Sequence, residues 1–277
     1  MTVLVRQIPV SGEALPVLGI GTWQTFDVGP KAPQRTALAD VLGAFSELGG
    51  RLVDSSPMYG NAETVVGDLA SDLSLHERLF VATKVWTSGR AEGIRQMEAS
   101  MRKLRVSTVD LMQVHNLVDV ETHLDTLAGW KRDGRVRYVG ITHYTASAHE
   151  ALARVLAGPS GRQVDFLQVN YSLGEPEAVR RLLPLTLDRG VAVLVNRPYG
   201  GGGLLRRLRG RPLPGWAAEL GYASWAQLAL AFVVAHPAVT CVIPATSQVR
   251  HLRENMAVGE LPLPDERQLA EIAAAAK

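Results

Sequence analysis

Residues 51–85 read RLVDSSPMYGNAETVVGDLASDLSLHERLFVATKV, two short β-branched runs on either side of a helical stretch. The runs Arg51–Asp54 and Leu79–Thr83 have no polar face, as expected for parallel strands that are covered on both sides. Between them, Ala62–Leu73 carries apolar residues at helical spacing. The segment therefore predicts a strand–helix–strand unit with parallel strands.

The same alternation extends along the chain in both directions. The other strand candidates are Val17–Ile20, Val109–Val114, Val136–Ile141, Val164–Val169, Val191–Val195 and Val239–Ile243. The other helix candidates are Arg35–Leu48, Ala91–Leu104, Val120–Asp133, Ala146–Leu156, Pro176–Arg189, Ser224–Ala235 and Asp265–Ala275. Eight such units predict an α/β fold, a (β/α)8 TIM barrel. The alternative is an open doubly wound sheet, but Gly19–Trp23 lacks the third glycine of its usual nucleotide motif.

A short segment precedes the first barrel strand. Arg6–Pro9 and Ala14–Pro16 flank Ser11-Gly12, a pair typical of a tight turn. We expect a β-hairpin that caps the bottom of the barrel, with a frayed terminus as the alternative. We interpret residues 1–277 as a single barrel domain, because α/β barrels routinely use about 200–250 residues or more as one unit.

Composition argues against several other classes of protein. The 29 Lys and Arg residues against 27 Asp and Glu residues leave a net charge of +2, which gives no support for nucleic-acid binding. The single cysteine, Cys241, excludes an internal disulfide and a multi-cysteine metal site. The longest apolar run, Leu228–Ala235, is too short for a membrane span. Because the N-terminus shows no secretory signal, we expect a cytoplasmic protein without a membrane partner.

Four polar residues are predicted to share one rim of the barrel, at the carboxyl ends of its strands, where barrel chemistry takes place. Asp54, Lys84 and His115 close three successive strand candidates, and Tyr59 follows in the loop after Asp54. Each alone has a purely structural explanation. Together they predict that Asp54 pairs with a buried Lys84, whose ammonium lowers the pKa of Tyr59 from about 10 and makes the phenol a general acid. His115 would hydrogen-bond a substrate oxygen, and a reduction would need a cofactor.

These residues belong to motifs that resemble the aldo-keto reductase family over nearly the whole chain. The matching segments are Gly19–Trp23, Asp54–Gly60 with Glu63, Thr83-Lys84, Leu111–Asn116, Val139–Ile141, Gln168–Tyr171, and Ile243-Pro244 with Glu254-Asn255. The resemblance implies reduction of aldehydes or ketones without a metal, with Tyr59 as the acid and His115 orienting the carbonyl. It also implies NADP(H) as the cofactor, with NAD(H) as the alternative, and Gln168 at the nicotinamide carboxamide.

The resemblance implies further cofactor contacts, some at positions where this chain departs from the family pattern. Thr142-His143 replaces the usual Ser-Asn, Asn196-Arg197 replaces a stacking tyrosine and a serine, and Ala245 and His251 replace a lysine and an arginine near the ribose 2′-phosphate. The implied cofactor residues are Gly21, Thr22, Trp23, Asp54, Thr142, His143, Gln168, Asn196, Arg197, Pro198, Gly200, Gly202, Leu204, Ala245, Thr246, Ser247, Arg250, Glu254 and Asn255.

The predicted wall of the substrate pocket consists of side chains just beyond the strand ends: Trp23, Phe26, Trp86, Asn116 and Tyr199. Larger family members cover the substrate with a C-terminal loop, whereas the last helix candidate here ends at Ala275, which predicts an open mouth and a broad substrate range. We expect a small carbonyl substrate and a monomer or weak oligomer. Two alternatives remain: a non-catalytic NADPH-sensing regulatory subunit of the same fold, and a phosphate-binding barrel isomerase that would not require Tyr59 beside Lys84.

Overall fold

The computed structural model describes residues 3–276, and these form an eight-stranded parallel barrel preceded by a hairpin. The hairpin strands are β1 (Val5–Gln7) and β2 (Ala14–Pro16), and the barrel strands are β3 (Ile20–Gly21), β4 (Leu52–Asp54), β5 (Phe80–Val85), β6 (Val109–His115), β7 (Val136–Thr142), β8 (Phe166–Asn170), β9 (Ala192–Asn196) and β10 (Val239–Val242). The barrel strands pair in sequence order. Backbone hydrogen bonds from Gly19 N to Val242 O (2.8 Å) and from Val242 N to Val17 O (2.9 Å) bring the first strand beside the last. The predicted barrel is confirmed.

Helices alternate with the strands and cover the outside of the barrel. Within residues 3–276 they are α1 (Gln34–Glu47), α2 (Ala62–Asp72), α3 (Arg90–Leu104), α4 (Val120–Arg132), α5 (His149–Ala157), α6 (Leu182–Arg189), α7 (Gly203–Leu208), α8 (Trp225–Ala235), α9 (Val249–Ala257) and α10 (Glu266–Ala275). Two predicted helices begin later than the spacing suggested. A tight 3₁₀ turn precedes α5, and another precedes α6, where Arg181 leaves helical geometry with φ −144°.

The eighth unit of the barrel differs from the sequence prediction. The helix that completes the ring is α9, which packs against α1 and α8, whereas the predicted eighth helix, now α10, packs against α8. The apolar residues Val249, Leu252 and Met256 stand at helical spacing in α9, but the charged residues between them obscure the pattern. The predicted strands are unaffected. In the observed arrangement the amino end of α9 follows β10, at the mouth of the barrel.

The N-terminal hairpin closes the bottom of the barrel, so the frayed alternative is wrong. Ile8 and Leu15 are fully buried and join the cluster of apolar side chains inside the barrel, which includes Phe80 and Tyr138. The hydroxyl of Tyr138 lies 2.7 Å from Ser11 Oγ and 2.8 Å from Glu13 Oε2, which ties the hairpin turn to β7.

Leu15→Ala is expected to lower the free energy of unfolding by about 2–5 kcal/mol, because it opens a cavity where the hairpin seals the barrel. Urea denaturation measures the change. The matched control is Val10→Ala in the exposed turn of the same hairpin, where we expect a change within about 0.5 kcal/mol. Equal stability of Leu15→Ala and Val10→Ala would contradict a sealing role for the hairpin.

Candidate active site

The barrel interior changes from apolar to polar toward the carboxyl ends of the strands. Alternate strand residues face inward, because side chains along a strand repeat every two residues. In β5, Phe80 and Ala82 lie in the interior apolar cluster and Lys84 follows them; in β6, Leu111 is followed by His115 at the strand end. We call the inward polar side chains at the strand ends the polar layer: Asp54, Lys84, Gln113, His115, Thr142, Gln168 and Asn196.

A buried ion pair lies at the centre of the polar layer. Lys84 Nζ donates to Asp54 Oδ2 at 2.7 Å and to the Ser55 carbonyl at 2.7 Å. The other carboxylate oxygen, Oδ1, accepts from Gln168 Nε2 at 2.7 Å and from Gln113 Nε2 at 3.2 Å. Burial by itself lowers the pKa of Lys84, but the charge of Asp54 and the contact with Tyr59 outweigh it and raise the pKa. Lys84 therefore carries its charge at neutral pH.

Tyr59 lies against this pair, with its ring centroid 5.0 Å from Lys84 Nζ. Burial raises the pKa of Tyr59, the charge of Lys84 opposes that effect, and the charge of Asp54 adds to it, so the pKa is above its ordinary value. The lowered pKa expected from the sequence is therefore wrong. The phenol stays protonated at neutral pH and is a proton donor held beside a cation.

His115 closes β6 beside Tyr59, and the two rings meet edge-on with centroids 6.1 Å apart. Burial, the charge of Lys84 and the charge of His143 lower the pKa of His115 to about 3. The imidazole is therefore neutral at physiological pH. Its Nδ1 lies 3.1 Å from Ser56 Oγ.

Above the polar layer lies a cavity of about 850 Å3. The predicted site residues that line it are Gly21, Thr22, Trp23, Asp54, Tyr59, Trp86, His115, Asn116, Thr142, Gln168, Asn196, Arg197, Pro198, Tyr199, Gly202, Ala245, Thr246, Glu254 and Asn255. Lys84 is fully buried behind them. One cavity thus brings together residues from both ends of the sequence, as the barrel prediction required.

Besides Lys84, six predicted residues do not line this cavity. Phe26 is fully buried in the core between strands and helices, which corrects its assignment to the pocket wall. His143 turns away: its Nδ1 accepts from Tyr144 N at 3.0 Å and its ring stacks on that of Tyr144. Arg250 points along its own helix, where Nε donates to Gln248 Oε1 at 2.8 Å. The remaining three are Gly200 and Leu204, which line a second cavity of about 530 Å3, and Ser247, which lines neither cavity.

Several wall residues were not assigned to the site from the sequence, although Ile243-Pro244 and His251 stood in segments compared with the family pattern: Gln24, Thr25, Met58, Tyr144, Gly201, Leu205, Ala226, Ile243, Pro244 and His251. Most are immediate sequence neighbours of predicted residues, so their position next to the motifs could have identified them. Met58 and Tyr144 are 40% and 46% exposed and, with Trp23 and Trp86, form an apolar mouth. The entrance of the cavity is therefore more apolar than the polar layer beneath it.

Three buried polar atoms in the cavity wall have no hydrogen-bond partner within residues 3–276: Asn116 Oδ1, Asn196 Oδ1 and Arg197 Nε. Buried polar groups are nearly always hydrogen-bonded, so these three unpaired atoms indicate a place where a polar ligand would bind. Asn196 Nδ2, in contrast, donates to the His143 carbonyl at 3.2 Å and to Gln168 Oε1 at 3.4 Å.

Comparisons with known proteins are consistent with this geometry. The profile described as "Aldo/keto reductase family" matches residues 17–277. The methylglyoxal reductase YeaE of Escherichia coli K12 is 32% identical over 267 residues, covering 93% of this chain and 90% of the relative. An aldo-keto reductase of Mycobacterium sp. strain KMS is 28% identical over 264 residues, covering 91% and 79%.

Solved structures give the same result. A Klebsiella pneumoniae aldo-keto reductase in complex with NADPH superposes with a TM-score of 0.83 at 26% identity, covering 98% of this chain and 94% of that one. A second Klebsiella pneumoniae aldo/keto reductase, with NADP and acetate, gives a TM-score of 0.81 at 26% identity, covering 94% and 91%. Across the residues that the structure describes, no helix is long and apolar enough to cross a membrane, and no cluster of three or more His, Cys, Asp or Glu residues is arranged to hold a metal ion.

Proposed function

The chain belongs to the aldo/keto reductase family, and we propose that it reduces a small aldehyde or ketone to an alcohol with NADP(H) as the cofactor. The observation that carries the proposal is the buried Lys84–Asp54 pair against Tyr59, with neutral His115 beside it, at the floor of the 850 Å3 cavity. The NADP(H) complexes of the solved relatives and the methylglyoxal reductase relative support the cofactor and a small carbonyl substrate.

The residues present fit a nicotinamide cofactor, because the unpartnered atoms of Asn196 and Arg197 lie in the wall of the same cavity. Thr142, Gln168 and Asn196 would hold the carboxamide, and Arg197 would hold a phosphate, since a guanidinium is suited to bidentate contact with phosphate oxygens. When bound, NADPH supplies the hydride that is added to the carbonyl carbon.

Side chains of the protein hold and transfer the proton that the carbonyl oxygen receives. Tyr59 holds it on Oη and gives it to the carbonyl oxygen as that oxygen becomes an alkoxide. Lys84 remains charged and stabilises the resulting phenolate by its positive charge. His115 is neutral, so it donates a hydrogen bond to the same oxygen without competing for the proton. Solvent then returns a proton to Tyr59.

The proposal is tested by mixing the purified protein with NADPH and a panel of carbonyls that includes methylglyoxal, and following the absorbance of the reduced cofactor. We expect absorbance to fall with at least one small aldehyde and the alcohol to accumulate in equal amount. Tight NADPH binding without turnover of any carbonyl would instead favour the regulatory-subunit alternative. Failure to bind NADPH would favour an unrelated barrel chemistry.

Arg250→Ala is expected to raise the Kd for NADPH about tenfold and to leave the Kd for NADH unchanged. Arg250 lies in the first turn of α9, next to the cavity-lining His251, where a ribose 2′-phosphate would meet both the guanidinium and the helix amino end. Quenching of tryptophan fluorescence by each cofactor measures both constants. Arg253→Ala, at an exposed arginine about one turn further along α9, is the control, because it removes the same charge from the helix. An equal rise for NADPH and NADH would contradict a role of Arg250 at the 2′-phosphate.

A further inference from the structure

We propose that Ser56 is a positioning residue: its hydroxyl holds His115 in the tautomer that carries the proton on Nε2, the form that donates to a substrate oxygen. The proposal rests on the function proposed above, because it assigns His115 the donor role in carbonyl reduction. It adds a residue between the end of β4 and Tyr59 that does not itself line the cavity.

The contact is buried on both sides. Ser56 Oγ lies 3.1 Å from His115 Nδ1, Ser56 is fully buried, and His115 is 5% exposed. The same Oγ accepts a hydrogen bond from Met58 N at 3.3 Å. Nε2, the other ring nitrogen, has no protein partner within residues 3–276 and belongs to a side chain in the cavity wall.

Hydrogen-bond satisfaction selects the tautomer. A serine hydroxyl has one proton to donate, and Ser56 Oγ has no acceptor near it within residues 3–276 other than His115 Nδ1. If Nδ1 carried the imidazole proton, the serine proton would be buried without a partner, which is costly. If the hydroxyl donates to Nδ1, every group is paired and Oγ still accepts from Met58 N. The single proton of the neutral ring then resides on Nε2, facing the cavity.

Ser56 also links the two groups that would meet the substrate oxygen. Its carbonyl accepts from Tyr59 N at 3.0 Å, which fixes the turn that carries the phenol, while its side chain fixes the imidazole. The neighbouring Ser55 plays a different part, because its Oγ accepts from Thr22 Oγ1 at 3.0 Å and its carbonyl accepts from Lys84. The two serines after Asp54 therefore serve different elements of the site.

The test combines nitrogen-15 NMR of the histidine side chains with steady-state kinetics. In the wild-type protein we expect the His115 signals of the neutral tautomer protonated on Nε2. In Ser56→Ala we expect a mixture of both tautomers, about a tenfold fall in kcat/KM for the carbonyl, and an unchanged Kd for NADPH. Ser56→Thr, which restores a hydroxyl, should recover the wild-type tautomer and most of the activity.

Ser46→Ala is the matched control, because Ser46 is a buried serine in α1, away from the cavity, whose Oγ has no partner within residues 3–276. It should change neither the His115 spectrum nor kcat/KM. The proposal is overturned if wild-type His115 is protonated on Nδ1, or if Ser56→Ala keeps the Nε2 tautomer. The spectrum does not depend on turnover, so it decides the role of Ser56 even if no carbonyl were reduced.

Discussion

Tyr59→Phe is expected to lower kcat by about 100- to 10,000-fold and to leave the Kd for NADPH within about twofold of the wild-type value. The substitution removes only the phenolic oxygen, and with it the proton donor beside Lys84. The ring still fills the same buried place against His115, so the fold and the cavity wall persist. Single-turnover measurement of NADPH oxidation separates this loss from any change in cofactor binding.

Tyr222→Phe is the matched control for Tyr59→Phe. Tyr222 is also buried, but its hydroxyl donates to the Pro262 carbonyl at 2.8 Å, away from the cavity. Its loss should cost about 1 kcal/mol of stability and no turnover. Retention of wild-type kcat in Tyr59→Phe would remove the proton-donor assignment and leave His115 as the remaining candidate.

Lys84→Met is expected to destabilise the protein by about 3–5 kcal/mol and to abolish most turnover. Lys84 and Asp54 are paired at 2.7 Å with side chains 0% and 3% exposed, so the substitution leaves a buried carboxylate with only amide donors. Breaking a buried pair by removing one partner has a cost of this size. Urea denaturation measures the stability, and the NADPH absorbance assay measures the turnover.

The double variant Lys84→Met with Asp54→Leu separates structure from chemistry. It replaces the pair by apolar side chains of similar volume, an exchange that is often neutral for stability. We expect most of the lost stability to return while turnover stays abolished. Recovery of turnover in the double variant would show that the charge of Lys84 is not needed for the reaction.

The Lys84–Asp54 pair also predicts a dependence of stability on pH. The pKa of Lys84 is raised in the folded protein, so its contribution is complete below the unfolded value of about 10.5 and is lost as pH rises through the folded value. The unfolding free energies of the wild type and of Lys84→Met should therefore converge at strongly alkaline pH. A constant difference between the two proteins from pH 7 to pH 11.5 would contradict this ionisation.

The sequence was sufficient to predict the barrel and its rim because both depend on periodicity. Strand and helix spacing are local properties, and the parallel order then brings Asp54, Lys84 and His115 to one edge. The helix α9 was not predicted, because charged residues separate its three apolar positions and make the helical spacing hard to recognise. Packing against α1 and α8 explains why these three positions are apolar. Its identification required the long-range contacts.

The electrostatics of the site could not be predicted from residue types alone. A lysine beside a tyrosine suggested a lowered pKa of the phenol. The direction of the pKa shift also depends on how far the phenol is removed from solvent and on the nearby charge of Asp54. Burial also decides the place of Phe26, which its sequence position assigned to the pocket wall and which packing holds in the core. Burial is a property of the assembled fold. It therefore reverses the pKa shift of Tyr59 that sequence proximity suggests.

The vertical separation between the polar layer and the apolar mouth has a consequence for protein engineering. The polar layer is built on hydrogen-bonded strands and includes a buried ion pair, so changing it alters stability and chemistry together. Trp23, Met58, Trp86 and Tyr144 lie half-exposed on loops above it. Loops tolerate substitution better than the elements they connect. Libraries directed at these four positions should therefore yield altered carbonyl selectivity with few unfolded members, whereas libraries in the polar layer should yield mostly inactive or unstable ones.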